Sequence, residues 1–206
     1  MTGKSIAVAV AILLAASAAS GQEVIGARRT EIDTAIFGGG VMFTPSPNVG
    51  DPQSGSYVLS GAVTRNINRW IGMEGDLGWA MGRRQALAFY GAAPPDQKTP
   101  NMLVYSGNLV YNPGGRDRAV VPYAEAGLGA LTVLSAPDTV NFGLSANSTH
   151  ATANFGGGIR WFPIAHWGVR GDYRYMTIRG ADAPARVGQQ EVRSAHRLYG
   201  AVVLTF

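Results

Sequence analysis

The stretch Ala195-His196-Arg197-Leu198-Tyr199-Gly200-Ala201-Val202-Val203-Leu204-Thr205-Phe206 closes the chain and decides how the rest is read. Alternate residues from the end, Phe206, Leu204, Val202, Gly200 and Leu198, form an apolar face broken only by the glycine. The other face carries Thr205, Val203, Ala201, Tyr199 and Arg197. A period of two marks a β-strand with one oily and one mixed face. Two settings fit: the buried last strand of a soluble sandwich, or the closing strand of a membrane barrel. The terminal aromatic favours the second.

Composition narrows the field. A chain of 206 residues suggests one domain. Charged residues make up 15%, against about 25% for an average soluble protein. A formal charge of +4, with arginines mostly single, gives no nucleic-acid footprint. Without cysteine there is neither a disulfide nor a thiolate metal site. Residues 1–21 read as a signal peptide: Lys4, an apolar core over 6–16, then small residues, with cleavage after Ala18 or Gly21. That core is shorter than the ~18 residues of a membrane helix. The exported domain is expected over 22–206.

Seven further alternating runs precede the last one, at 31–44, 56–66, 70–81, 101–112, 119–131, 149–162 and 167–178. The connections alternate long and short. Residues 45–55, 82–100, 135–148 and 179–193 are long and polar; 66–69, 113–118 and 163–166 are short. That series predicts an all-β, eight-stranded, antiparallel up-and-down barrel, with four long extracellular loops and three short periplasmic turns. The runs are long enough for the ~9–11 residues that cross a bilayer at a tilt. A soluble lipocalin-like barrel shares the topology but would turn its charges outward.

The charged positions discriminate between these. Glu74, Asp76, Glu125, Arg160, Arg170, Asp172, Arg174 and Arg197 all lie on strand faces opposite the aliphatic and aromatic residues. Acids dominate the earlier strands and arginines the later ones, so a closed interior can pair them. Lys is absent from the runs, which argues against a wet outer wall. Trp79, Trp161, Trp167, Tyr105, Tyr111, Tyr173 and Phe206 are expected to face lipid, several at interface height. Strand glycines are expected to relieve crowding inside the barrel. Phe37-Gly38-Gly39-Gly40-Val41 and Phe155-Gly156-Gly157-Gly158-Ile159 echo one another and read as two similar strands.

Three stretches carry a resemblance: Val121-Pro122-Tyr123-Ala124-Glu125-Ala126-Gly127-Leu128-Gly129, Asn68-Arg69-Trp70-Ile71-Gly72-Met73-Glu74-Gly75, and Gly107-Asn108-Leu109-Val110-Tyr111-Asn112. In these the chain resembles the outer-membrane β-barrel family related to the OmpA transmembrane domain, over roughly residues 31–206. Tyr199, Gly200, Leu204 and Phe206 resemble the terminal signal read by the barrel-assembly machinery, with Gly200 where a bulky residue is usual. The resemblance implies an outer-membrane location in a Gram-negative-type envelope, contact with membrane lipid and lipopolysaccharide, and a monomer; the peptidoglycan-binding domain that some relatives carry after the barrel is not expected here. No cofactor, metal site or nucleic-acid partner is expected.

Three functions compete. A non-enzymatic barrel would serve envelope integrity or surface interaction through its long loops, whose partner the residues do not name. A small ion or solute pore would use the charged cluster. A lipid A-modifying enzyme would need a base and a hydroxyl, for which His150 and Thr152 are candidates, on a face expected to point inward. His166 and His196 read as isolated. The expectation is the first reading, with no catalytic residues.

Overall fold

A computed structural model describes residues 32–44, 54–86, 96–134, 147–164, 166–179 and 192–206. The signal-peptide reading of 1–21 and most of the long-loop residues lie outside these. The strands are β1 (Ile32–Phe43), β2 (Ser54–Asn66), β3 (Ile71–Met81), β4 (Arg84–Ala86), β5 (Asp96–Lys98), β6 (Asn101–Tyr111), β7 (Val120–Leu134), β8 (Thr149–Ile164), β9 (Trp167–Arg179) and β10 (Val192–Thr205). Eight of them close a barrel in the order β1-β10-β9-β8-β7-β6-β3-β2. Every seam is antiparallel, and the first strand pairs with the last from Asp33↔Thr205 to Phe43↔Ala195. Closure leaves no open edge, the condition for a sheet surrounded by lipid.

One stretch read as a polar loop holds structure. Within 82–100, β4 and β5 pair as a small ribbon. The Gln85 side chain ties it to β2, donating to the Gly55 carbonyl at 3.1 Å and accepting from the Gly55 amide at 3.2 Å. Three-residue strands have too few positions to show a period, so the pattern could not announce them.

The wall has the expected polarity. Leu128 is 73% exposed and Leu198 65%, and Met73, Leu77, Phe155, Ile159, Trp161 and Tyr173 also face out. The carboxylates and most serines, asparagines and arginines of the barrel strands face in. β1 is the exception. Its Ala35, Phe37, Val41 and Phe43 are buried inside the barrel, while Ile36 and Met42 face out. The ladder explains this. Asp33 shares the parity of Phe37 and must avoid hydrocarbon, and register with β10 sets Phe37 beside Tyr199, with ring centroids 5.6 Å apart. The two glycine-rich echoes therefore differ in phase: Phe37 points into the lumen, Phe155 out of the wall. They are not equivalent strands.

Glycine has two roles here. Inward glycines relieve crowding as expected. A Cβ on Gly156 would overlap the Tyr173 carbonyl oxygen, and one on Gly129 would overlap that of Tyr105. Outward glycines do something else. Each barrel strand places one minimal residue outward at mid-height: Gly38, Gly61, Gly75, Gly107, Ala126, Gly157, Gly171 and Gly200. Gly171, Gly200 and Gly38 pair side by side, as do Gly75 and Gly107. At the remaining seams the series steps two residues toward the short-turn rim, as tilted strands require. The result is a closed belt around the outer wall. A Cβ on Gly38, Gly75, Gly107, Gly171 or Gly200 would meet nothing within 4 Å, so no contact inside the chain demands glycine there.

Candidate functional site: the enclosed charge network

The eight charged residues singled out from the sequence all lie inside, and the fold brings them together. Arg160, Arg174 and Arg197 are each 1% exposed, and the others are buried as well. β3 supplies Glu74 and Asp76, β7 Glu125, β8 Arg160, β9 Arg170, Asp172 and Arg174, and β10 Arg197. Spacing of two residues keeps each strand's charges on one face.

Arg170 and Arg174 are the hubs. Arg170 donates from Nη1 to Glu74 Oε2 at 2.5 Å, and from Nη2 to Asp172 Oδ2 at 2.5 Å and Glu125 Oε2 at 3.2 Å. Its Nε donates to the Tyr123 hydroxyl at 2.6 Å, which donates on to Asp172 Oδ2 at 2.7 Å. Arg174 donates from Nη2 to Glu74 Oε1 at 2.8 Å, from Nη1 to Asp76 Oδ2 at 2.5 Å and from Nε to Asp172 Oδ1 at 3.0 Å. It also contacts Glu125. The planar fork of each guanidinium meets several carboxylates at once, which a lysine ammonium could not do. Arg197 stands 3.9 Å from Asp76 and packs over the Tyr199 ring, donating to that hydroxyl. Arg160 lies 3.9 Å from both Glu74 and Asp33.

The sequence reading missed several members. Arg116, from the turn after β6, clamps Asp33 at 2.8 and 2.6 Å at the short-turn end. Thr64 donates to Glu74 at 2.8 Å and Asn108 to Asp76 at 3.4 Å. Tyr123 lies between Arg160 and Arg170, each guanidinium 4.5 Å from its ring centroid. Asp33 and Arg116 are 83 residues apart, and only the closed topology joins them. With this pair, the carboxylates of Asp33, Glu74, Asp76, Glu125 and Asp172 face the guanidiniums of Arg116, Arg160, Arg170, Arg174 and Arg197, five against five. These ten groups balance in charge; a sixth buried arginine, Arg193, lines a cavity nearer the long-loop rim.

Above the network the inward faces become more apolar, with Ser54, Ser56, Thr99, His150, Thr152 and Arg193 buried among them. Val41, Phe43, Val58, Ala80, Met102, Val104, Leu131, Val133, Met176, Ile178 and Ala195 form one buried cluster toward the long-loop rim. A cavity of about 10 Å³ lies there, lined by Phe43, Ser54, Ser56, Thr99, Pro100, Met102 and Arg193. It is no larger than a single water needs. An ion crossing this tier would have to shed most of its hydration among packed side chains, with few polar groups to replace it.

His150 and Thr152 both point inward and are buried. His150 Nδ1 lies 3.3 Å from the Arg179 carbonyl, which can only accept, so Nδ1 carries the proton. Nε2 then accepts the Ser148 hydroxyl at 2.6 Å. Thr152 is not joined to His150. His196 is not isolated, because it shares a 2.7 Å hydrogen bond with Tyr173 on the outer wall. Of the terminal residues, Gly200 and Phe206 face out and Leu204 is half-exposed on the same side, whereas Tyr199 is buried inside.

Comparison with known proteins agrees with this architecture. The family model described as "Outer membrane protein beta-barrel domain" matches residues 6–206. No curated protein matches the sequence. The crystal structure of Neisserial surface protein A (NspA) superposes with a TM-score of 0.58 at 15% identity, covering 86% of this chain and 98% of that one. The outer membrane protein OprG from Pseudomonas aeruginosa gives a TM-score of 0.54 at 14% identity, over 89% and 100%. The N-terminal β-barrel domain of Pseudomonas aeruginosa OprF gives 0.50 at 12%, over 85% and 96%. At these identities the likeness shows a shared fold. With its closed eight-stranded wall and a match along nearly its whole length, the chain belongs to the outer-membrane β-barrel protein family.

Proposed function

We propose that this protein is a closed, non-enzymatic barrel of the outer membrane that works through its outer wall and its long-loop rim. The observation that carries the reading is the lumen: a packed network of five carboxylates on five guanidiniums, below a tier of closely packed, mostly apolar side chains. An interior filled by its own side chains is what eight strands enclose. Among the described residues such an interior offers no open route for solute and no cavity larger than a single water needs. What it presents to other molecules is the lipid-facing band and the loops, which suits a role in envelope integrity or surface interaction. The same packing weighs against the pore reading. The inward burial of His150 weighs against its acting on membrane lipid.

Conductance tests this directly. Purified barrel in a planar bilayer should give no steady open level. Arg174→Ala should loosen the network and yield at most brief, irregular openings. A steady single-channel level in the unaltered protein, changed in size by Arg174→Ala, would establish the pore reading instead.

A further inference from the structure

The long-loop end of β8 holds a nucleophile and a base that the charge network does not use. The Ser148 hydroxyl donates to His150 Nε2 at 2.6 Å. His150 Nδ1, 3.3 Å from the Arg179 carbonyl, carries the proton, so that carbonyl fixes both the tautomer and the set of the ring. A hydroxyl on a base, with the base oriented by a third group, is the arrangement that activates a serine. The ring is enclosed, at 2% exposure, whereas Ser148 is only half-buried.

The backbone holds the pair in place. The Ser148 carbonyl accepts from the Val133 amide at 2.9 Å, and the hydroxyls of Thr149 and Thr132 share a 2.9 Å bond. Immediately before Ser148, Asn147 has a φ of 57°, the one non-glycine residue among those described with a left-handed backbone. Such departures gather at functional sites. Height places the pair in the aqueous layer. His150 lies seven residues above Gly157, the mid-height residue of β8. At ~3.4 Å per residue and a tilt of ~40° that is about 18 Å. The hydrocarbon band is ~25 Å tall, so it ends about 12 Å above mid-height. Ser148, nearer still to the rim, is reached from water.

The geometry points to Ser148 as a covalent acyl-acceptor site for a water-borne activated ester or thioester. Ser148 Oγ attacks the acyl carbon while its proton passes to His150 Nε2. The bond from that carbon to the leaving group breaks, and the group departs with the electron pair as an aryl oxide or thiolate. The imidazolium then loses its proton to solvent, and Ser148 is left as an O-acyl ester. Donors whose leaving group is stable as an anion are singled out, because the enclosed imidazole reaches Ser148 and not a departing group in solvent. The ester persists for the same reason. Hydrolysis needs a water held against Nε2, and the approach to that nitrogen is taken by Oγ itself. The inference goes beyond the closed, non-enzymatic barrel and leaves it standing: each chain reacts once, the lumen plays no part, and the donor is not membrane lipid.

The test uses the full folded barrel in detergent with p-nitrophenyl acetate as the donor. Nitrophenolate release is followed by absorbance, and the acetyl group is located by mass spectrometry of the intact chain and its peptides. The unaltered barrel should release one equivalent per chain, stop, and carry the acetyl on Ser148 ahead of every other serine. Ser148→Ala should abolish that release. His150→Gln should slow it about a hundredfold, the lower range for loss of a general base. Thr152→Ala, which touches neither member of the pair, should react as the unaltered barrel does. Folding of each variant is read from the shifted gel mobility of unheated samples, and His150→Asn replaces the glutamine variant if that one does not fold. Ser148 acetylated no faster than other half-buried serines in the unaltered barrel, or at an unchanged rate without the imidazole, would overturn the site. Continued release past one equivalent would overturn the single-reaction claim and count against the non-enzymatic reading as well.

Discussion

Arg174→Ala should destabilise the folded barrel by about 3–5 kcal/mol, the cost of leaving buried charges without their partner. Arg174 reaches Glu74, Asp76 and Asp172 at 3.0 Å or less. Its removal leaves Asp76 with Arg197 at 3.9 Å as its nearest cation and makes Arg170 the only described cation within hydrogen-bond distance of Glu74 and Asp172. Arg174→Lys should recover only part of the loss, since a point charge covers one carboxylate well. Arg69→Ala, which removes an exposed cation over Trp70, should cost less than about 1 kcal/mol. Urea unfolding of the barrel in lipid vesicles measures all three. Adding Asp76→Asn to Arg174→Ala should give a total below the sum of the separate costs, because the two groups share an interaction.

The second large effect separates the two kinds of glycine. Gly156→Ala should destabilise by about 3 kcal/mol or block folding, the upper end for forced overpacking. Its Cβ would overlap the Tyr173 carbonyl oxygen and lie 2.8 Å from Arg174 Cα, so the β8–β9 seam would have to open. Gly75→Ala meets open space. It should be neutral or gain about 0.5–1 kcal/mol, as alanine does over glycine within a strand. The same unfolding measurement decides. Equal effects at the two positions would show that contact geometry does not govern these glycines.

Much of the fold was legible because five strands, β3, β7, β8, β9 and β10, state their phase in charges. Arg170, Asp172 and Arg174 against Val169, Tyr173 and Tyr175 leave no doubt which face of β9 is enclosed. β1 carries no such run. Its single inward charge is Asp33, and Phe37 on the same face looks like a lipid-facing residue until the ladder places it. The apolar tier was hidden for a related reason. Along β9 the inward face changes from Arg174 to Met176 and Ile178, so charge marks only half of each interior column. The site's core pairs were foreseeable from complementary signs on facing strands. Asp33 with Arg116 was not, since a turn arginine looks solvated until the barrel folds over it. The outward glycine belt was illegible because its members align only once the register is known.

The central claim is that the aromatic and aliphatic face meets hydrocarbon while the charges are enclosed. The chain has no cysteine, so single spin labels on Leu77→Cys and Leu128→Cys can be read unambiguously in barrels folded into lipid vesicles. Power saturation by oxygen, which concentrates in hydrocarbon, should exceed that by a water-soluble nickel chelate at both sites. Greater accessibility to the nickel chelate would put water against this face and contradict the account.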